Sequence, residues 1–122
     1  MYRPVPDLTI TNSKRMTTPK VDLEIFDTKR TFEDLGLNDS LVRSVKELGY
    51  VHPTIIQSKL IPLALSKVDV LGQSRTGSGK TAAFGLPALH LLEEGDAFGA
   101  LILVPTRELA IQVAKEIEVL GK

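Results

Sequence analysis

Residues 74 to 81 read Ser-Arg-Thr-Gly-Ser-Gly-Lys-Thr, and their types and spacing suit the binding of a polyphosphate. Gly77 and Gly79 permit positive φ and let backbone N–H groups approach phosphate oxygens closely. Lys80 supplies a cation to neutralise phosphate charge. Thr81 supplies a hydroxyl for Mg²⁺, which takes oxygen ligands and bridges phosphate oxygens. Lys80 and Thr81 are therefore the candidate catalytic residues of the loop, and Ser74, Arg75, Thr76, Gly77, Ser78 and Gly79 its candidate cradle. The general P-loop pattern opens on Gly where this chain has Ser74, so the strict expression fails at one position. The bland alternative is a glycine-rich turn between two elements, with Arg75 as a solvated side chain.

Such a loop works only when a strand feeds it and a helix leaves it. Val68-Asp69-Val70-Leu71-Gly72-Gln73 is short, β-branched and followed by the glycine segment, which predicts a buried strand. From Lys80 to about Glu94 the pattern is helical, with Pro87 as its one awkward residue. The apolar run Ala100 to Val104 predicts a second strand, and Thr106 caps a last helix through Leu120. Upstream, Leu41, Val42, Val45 and Leu48 have helical spacing, with Asn38 or Asp39 as N-cap and Gly49 as the stop. Another helix starts after Pro53 with Thr54 as cap, and Pro62 is expected to break or kink it near Leu60 to Ile61. Strands alternating with helices predict a parallel α/β layout.

The 122 residues fit one domain or part of one, with 43% hydrophobic residues for a modest core. Fifteen Lys and Arg balance fifteen Asp and Glu, so net charge indicates no general attraction to nucleic acid or to a membrane. Without cysteine there is no disulfide framework, and two isolated histidines, His52 and His90, do not make a zinc site, so no structural metal is expected. The start, MYRPVPDLTITNSKRMTTPK, lacks an apolar core of signal-peptide length and no membrane-length apolar run follows, which gives the expectation of a cytoplasmic chain. Residues 1 to 30 show no periodicity and read as a flexible leader, within which Met16 is an alternative start.

Three blocks, GYVHPTIIQ at 49 to 57, SRTGSGKT at 74 to 81 and PTRELA at 105 to 110, together resemble the N-terminal part of the DEAD-box ATP-dependent RNA helicases. The first looks like that family's Q motif, the second its motif I and the third its motif Ia. The resemblance covers residues 31 to 122 and implies a RecA-like P-loop NTPase domain of α/β class, truncated after motif Ia. Residues 1–30 would be the leader, 30–58 the Q-motif region and 61–122 the start of the ATP-binding domain. It implies ATP and Mg²⁺ as cofactors and RNA as a partner held by its backbone, without sequence preference.

In the family the Q-motif glutamine reads adenine and an upstream aromatic stacks on it. Those roles fall here on Gln57 and on Phe32, which lies 17 residues before Gly49. A glutamine amide offers the donor and acceptor that the N6 and N7 edge of adenine requires, and no guanine edge presents the same pair. On residues alone, Phe32 could equally cover the first helix and Gln57 could be solvated. Pro105, Thr106 and Arg107 take the motif Ia role, since free N–H groups, a hydroxyl and a guanidinium can converge on one phosphate. Their bland reading is a helix start in which Arg107 pairs with an acid.

The chain departs from the family's pattern in two respects. Lys67 and Val68 stand where the family often has Gly and a basic residue before the loop strand. No Asp-Glu-Ala-Asp or Ser-Ala-Thr segment occurs, and no acid is placed at a strand end to hold Mg²⁺ and position water. Glu93, Glu94 and Asp96 fall in a turn and Glu108 in a helix start. The expectation is thus an RNA helicase by family, with hydrolysis absent from this chain alone. The alternative is a catalytically inactive module that keeps ATP and RNA affinity. A different P-loop enzyme, such as a small kinase, would not be expected to carry the Q block or PTRELA.

Overall fold

The computed structural model describes residues 25–122, which form four α-helices and one 3₁₀ turn. The turn, Glu33–Leu35, ends on Gly36 at φ 88° and delivers Phe32, Leu35 and Leu37 to the core. Helix α1 (Asp39–Glu47) is capped by Asn38, whose Oδ1 accepts from the Leu41 N–H at 2.9 Å, and buries Leu41, Val42 and Val45. Gly49, at φ 84°, turns the chain after it.

Helix α2 (Ile55–Leu65) opens with a full capping box: Thr54 Oγ1 accepts from Gln57 N–H, and Gln57 Oε1 accepts from Thr54 N–H at 2.9 Å. The break expected at Pro62 does not occur, for the helix continues to Leu65. Proline removes the N–H that would bond to the carbonyl of Ser58. That carbonyl accepts instead from Arg30 Nη1 at 3.3 Å, so a side chain 28 residues away supplies the missing donor.

Helix α3 (Lys80–Leu91) leaves the glycine loop, and helix α4 (Arg107–Leu120) is capped by Thr106, whose Oγ1 accepts from Leu109 N–H at 3.2 Å. Helices α2 and α3 form the main packing pair, with α4 against α3. Their shared core comprises Phe32, Leu35, Leu37, Leu41, Val42, Val45, Ile61, Ala82, Leu86 and Leu120. Gly85 lets α4 approach, since a Cβ there would sit 3.2 Å from Ile117 Cγ1. Ser44 Oγ donates to the Leu120 carbonyl at 2.8 Å and ties α1 to the end of α4.

The two expected strands form no ladder among the described residues. Val68–Gln73 and Ala100–Val104 carry no strand hydrogen bonds, and Leu71 is 93% exposed, Leu101 and Leu103 each 85%. A strand exists through its neighbours' backbone bonds, and neither segment pairs with the other or with a third here. Lys67, which follows α2, holds φ 58°, the left-handed conformation for which glycine is preferred.

Residues 25–30, expected within the leader, are docked: Asp27 N–H donates to the Pro53 carbonyl and Ile55 N–H to the Ile25 carbonyl, both at 2.8 Å. Phe26 and Thr54 form an isolated antiparallel bridge between them. The rest of the expected leader, Met16 included, lies outside the described residues. None of the described helices is long and apolar enough to cross a membrane.

Candidate functional site

The start of α2 and the start of α3 meet at one hydrogen bond. Gln57 is 3% exposed, and its Nε2 donates to the Gly79 carbonyl at 3.1 Å. Because its Oε1 already accepts from Thr54 N–H, the two backbone partners fix which end of the amide faces which way. One N–H and one lone pair of the amide stay uncommitted to these bonds. Gln57 is therefore not solvated; it joins the Q-like block to the glycine loop.

Within the loop, Gly77 and Gly79 both adopt the expected left-handed conformation, at φ 77° and 78°. Gly79 is constrained twice, since an added Cβ would collide with Gln57 Nε2 and lie 3.3 Å from Thr54 Cγ2. Lys80 Nζ donates back across the loop to the Ser74 carbonyl at 2.7 Å, and the hydroxyls of Ser74 and Ser78 bond to each other. The ammonium is thus held at a loop carbonyl, in whose place a phosphate oxygen could serve as acceptor. Arg75 and Thr76 are exposed, and Thr81 is half-buried at the first turn of α3.

Two of the cavities that border this junction contain residues of the loop. One, of about 500 Å³, lies between Ile56 and Lys59 of α2 and the loop from Gln73 to Ser78. The other, also about 500 Å³, is lined by Phe26, Tyr50, His52, Gln57, Gly77 and Gly79 among others. Both fall within the ~300–1,000 Å³ range of small-molecule sites. A third, of about 490 Å³, places Lys80, Thr81 and Phe84 beside the segment Leu101–Val104.

Phe32 does not line any of these cavities. Its ring is 1% exposed in the core cluster, so the stacking face expected of it is turned inward. It packs instead against Tyr50, with ring centroids 6.2 Å apart and planes at 31°. Tyr50 is 42% exposed and reaches the Gln57 cavity, a placement that the sequence reading did not single out. Its place inside the GYVHPTIIQ block, seven residues before Gln57, was the available signal. The burial of Gln57 had a signal as well, the Thr-x-x-Gln spacing of a capping box.

Pro105, Thr106 and Arg107 are exposed together at the N-terminus of α4. The lone pair of Thr106 Oγ1 is used on Leu109 N–H, which leaves its hydroxyl hydrogen to donate. His90, near the end of α3, is half-buried and accepts from the Asn38 N–H at 3.1 Å.

A family model for the DEAD/DEAH box helicases matches residues 54–122, more than half of the chain. Among curated relatives, an ATP-dependent rRNA helicase, rrp-3, of Neurospora crassa is 52% identical over 99 residues, which are 80% of this chain and 19% of that protein. Among solved structures, a DEAD box protein of Methanococcus jannaschii superposes with a TM-score of 0.71 at 48% identity, covering 75% of this chain and 25% of that one. The helicase Prp28 of Chaetomium thermophilum, solved with ADP, gives a TM-score of 0.67 at 44% identity over 75% of this chain and 24% of that one. The chain thus spans about a fifth to a quarter of the length of the proteins it matches. These likenesses cover both the loop and the helices that position it, and the chain belongs to the DEAD/DEAH box helicase family.

Proposed function

We propose that this chain forms the nucleotide-binding start of an ATP-dependent RNA helicase and binds ATP with Mg²⁺. The observation that carries this reading is the Gln57 to Gly79 hydrogen bond, which sets a base-reading amide one residue from Lys80. The uncommitted donor and acceptor of Gln57 match the adenine edge, and Tyr50, rather than the buried Phe32, offers a ring face to the base. Gly77 and Gly79 hold the left-handed backbone that other residues resist, and Lys80 keeps its ammonium on the loop at the Ser74 carbonyl. Thr81 is the residue that would hold Mg²⁺, whose chemistry when bound is to neutralise phosphate charge. Pro105, Thr106 and Arg107 are proposed to contact an RNA backbone phosphate, without reading bases.

On its own the chain is proposed to bind without hydrolysing. Phosphoryl transfer to water needs an acid that orients the nucleophile and the metal; among the described residues no carboxylate lines the cavities that contain Ser74 to Ser78 or Lys80 and Thr81, and Glu116 reaches a separate cavity on the α4 side of Gln57 and Gly79. This observation favours the binding-module reading for the chain alone, and the helicase reading for the longer family architecture.

Isothermal titration of the purified chain with ATP and Mg²⁺ tests the proposal, with GTP as comparator and Gln57→Ala and Lys80→Ala as controls. The expected result is saturable ATP binding, GTP binding weaker by the ~1–3 kcal/mol of one bidentate base contact, and loss in both variants. Equal affinity for ATP and GTP would sink the role of Gln57. Absence of binding by a chain with a helical circular dichroism spectrum would sink the whole reading.

A further inference from the structure

The segment before the 3₁₀ turn contributes something to this cavity that the three sequence blocks do not contain. Phe26 stands outside the core cluster, is 47% exposed, and lines the same cavity as Tyr50, Gln57 and Gly79. A half-exposed aromatic ring at a cavity wall gives up little to the fold and has a face to offer a ligand.

Its backbone is held firmly. The Phe26 to Thr54 bridge and the two 2.8 Å bonds beside it attach residues 25–27 to the capping residue of α2. Side chains brace the same attachment, since Asp27 accepts from Ser58 Oγ and Arg30 donates to the Ser58 carbonyl. Phe26 is therefore positioned by the same helix start that orients Gln57.

We infer that Phe26 is a second aromatic wall of the nucleotide base pocket, which stacks on the base without discriminating among bases. This rests on reading the cavity as the base site. Stacking is tolerant of base identity because every base has a π face, whereas the Gln57 amide is selective for one edge. The two residues should consequently separate in experiment: Phe26 contributes affinity alone, whereas Gln57 contributes affinity and also sets the preference between bases.

The test is titration of the full chain, wild type and the variants Phe26→Ala and Phe26→Trp, with ATP, GTP and inorganic tripolyphosphate, each in Mg²⁺. Expected for Phe26→Ala is at least about a fivefold loss of affinity for ATP and for GTP, the lower end of base-stacking contributions. The ATP to GTP ratio and the tripolyphosphate affinity should stay at wild-type values, and Phe26→Trp should restore binding. Unchanged ATP affinity in Phe26→Ala overturns the inference. A parallel loss for tripolyphosphate overturns it too, because the segment would then be shaping the phosphate loop. If the wild-type chain itself does not bind ATP, the proposed function fails first and the inference falls with it, an outcome distinct from both of the others.

Discussion

Gly77→Ala and Gly79→Ala make the same chemical change in the same conformation, φ 77° and 78°, and differ only in what the new methyl group meets. At Gly77 nothing lies within 4 Å. The cost there is the ~1–2 kcal/mol of an L residue in the left-handed region, offset by ~0.4–1 kcal/mol from a less flexible unfolded chain, or about 1 kcal/mol net. At Gly79 the methyl collides with Gln57 Nε2 and sits 3.2 Å from Gln57 Cδ, so the buried amide must leave its place. That movement breaks its 3.1 Å bond to the Gly79 carbonyl and strains its 2.9 Å capping bond with Thr54. Losing one or both adds ~1–3 kcal/mol, for a total of about 2–4 kcal/mol. Urea unfolding followed by circular dichroism measures both variants, with Gln57→Ala and the double variant Gln57→Ala, Gly79→Ala closing a cycle. The methyl at position 79 should cost much less once Gln57 is gone. Equal destabilisation by the two glycine variants, or additivity within the cycle, would refute the claim that Gln57 and Gly79 form one unit.

Three other outcomes follow from local geometry. Lys67→Gly should stabilise the chain by up to about 1 kcal/mol in the same urea assay, because glycine occupies φ 58° without steric cost and the position lies just past the end of α2. Arg30→Met should cost about 1 kcal/mol when Pro62 is present and clearly less in a Pro62→Ala background, where the restored N–H can serve the Ser58 carbonyl; identical costs in both backgrounds would show that Arg30 does not stand in for the missing donor. The Glu33 carboxyl, paired with the Lys46 ammonium, is held down at about 2, chiefly by that contact. A depressed acid contributes stability above its unfolded value near 4.5 and loses it as pH falls toward 2. Over that window Lys46→Gln should flatten the acid loss relative to wild type, and carboxyl NMR should return Glu33 toward the ordinary range. The pair is exposed, so added salt should shrink the difference.

The parts of this fold that were legible in the sequence are those whose causes lie within a few residues. Thr54 and Thr106 announce their helices because a cap bonds to an N–H three positions on, and Gly77 and Gly79 announce a left-handed loop because other residues resist it. The strands were not legible in the same sense. Apolar β-branched runs at 68–73 and 100–104 state a propensity, but a strand is a relation to a neighbour, and no neighbour pairs with either among the described residues. Pro62 misled for a similar reason, since the donor that rescues its helix comes from Arg30, far away in sequence. Phe32 and Tyr50 are both aromatic and near the motif, and only packing decides which ring faces the core and which the cavity.

The residue type at position 57 becomes intelligible only when both of its partners are in view. A buried polar side chain is tolerated when its groups are paired, and here one must accept from Thr54 N–H while donating to the Gly79 carbonyl. Glutamate could accept but, ionised, has nothing to donate, and would face the Gly79 carbonyl with a charge. Asparagine has the right groups on a stem one methylene shorter, too short to cap Thr54 and still span to the loop. Glutamine satisfies both and keeps a donor and an acceptor over, the two functions an adenine edge calls for. On the proposed reading of Gln57 as the base contact, the stability requirement and the binding requirement therefore select the same side chain. Gln57→Glu is thus expected to weaken both at once, with a lower urea midpoint and lost ATP affinity, and a variant that lost only one of them would separate the two requirements.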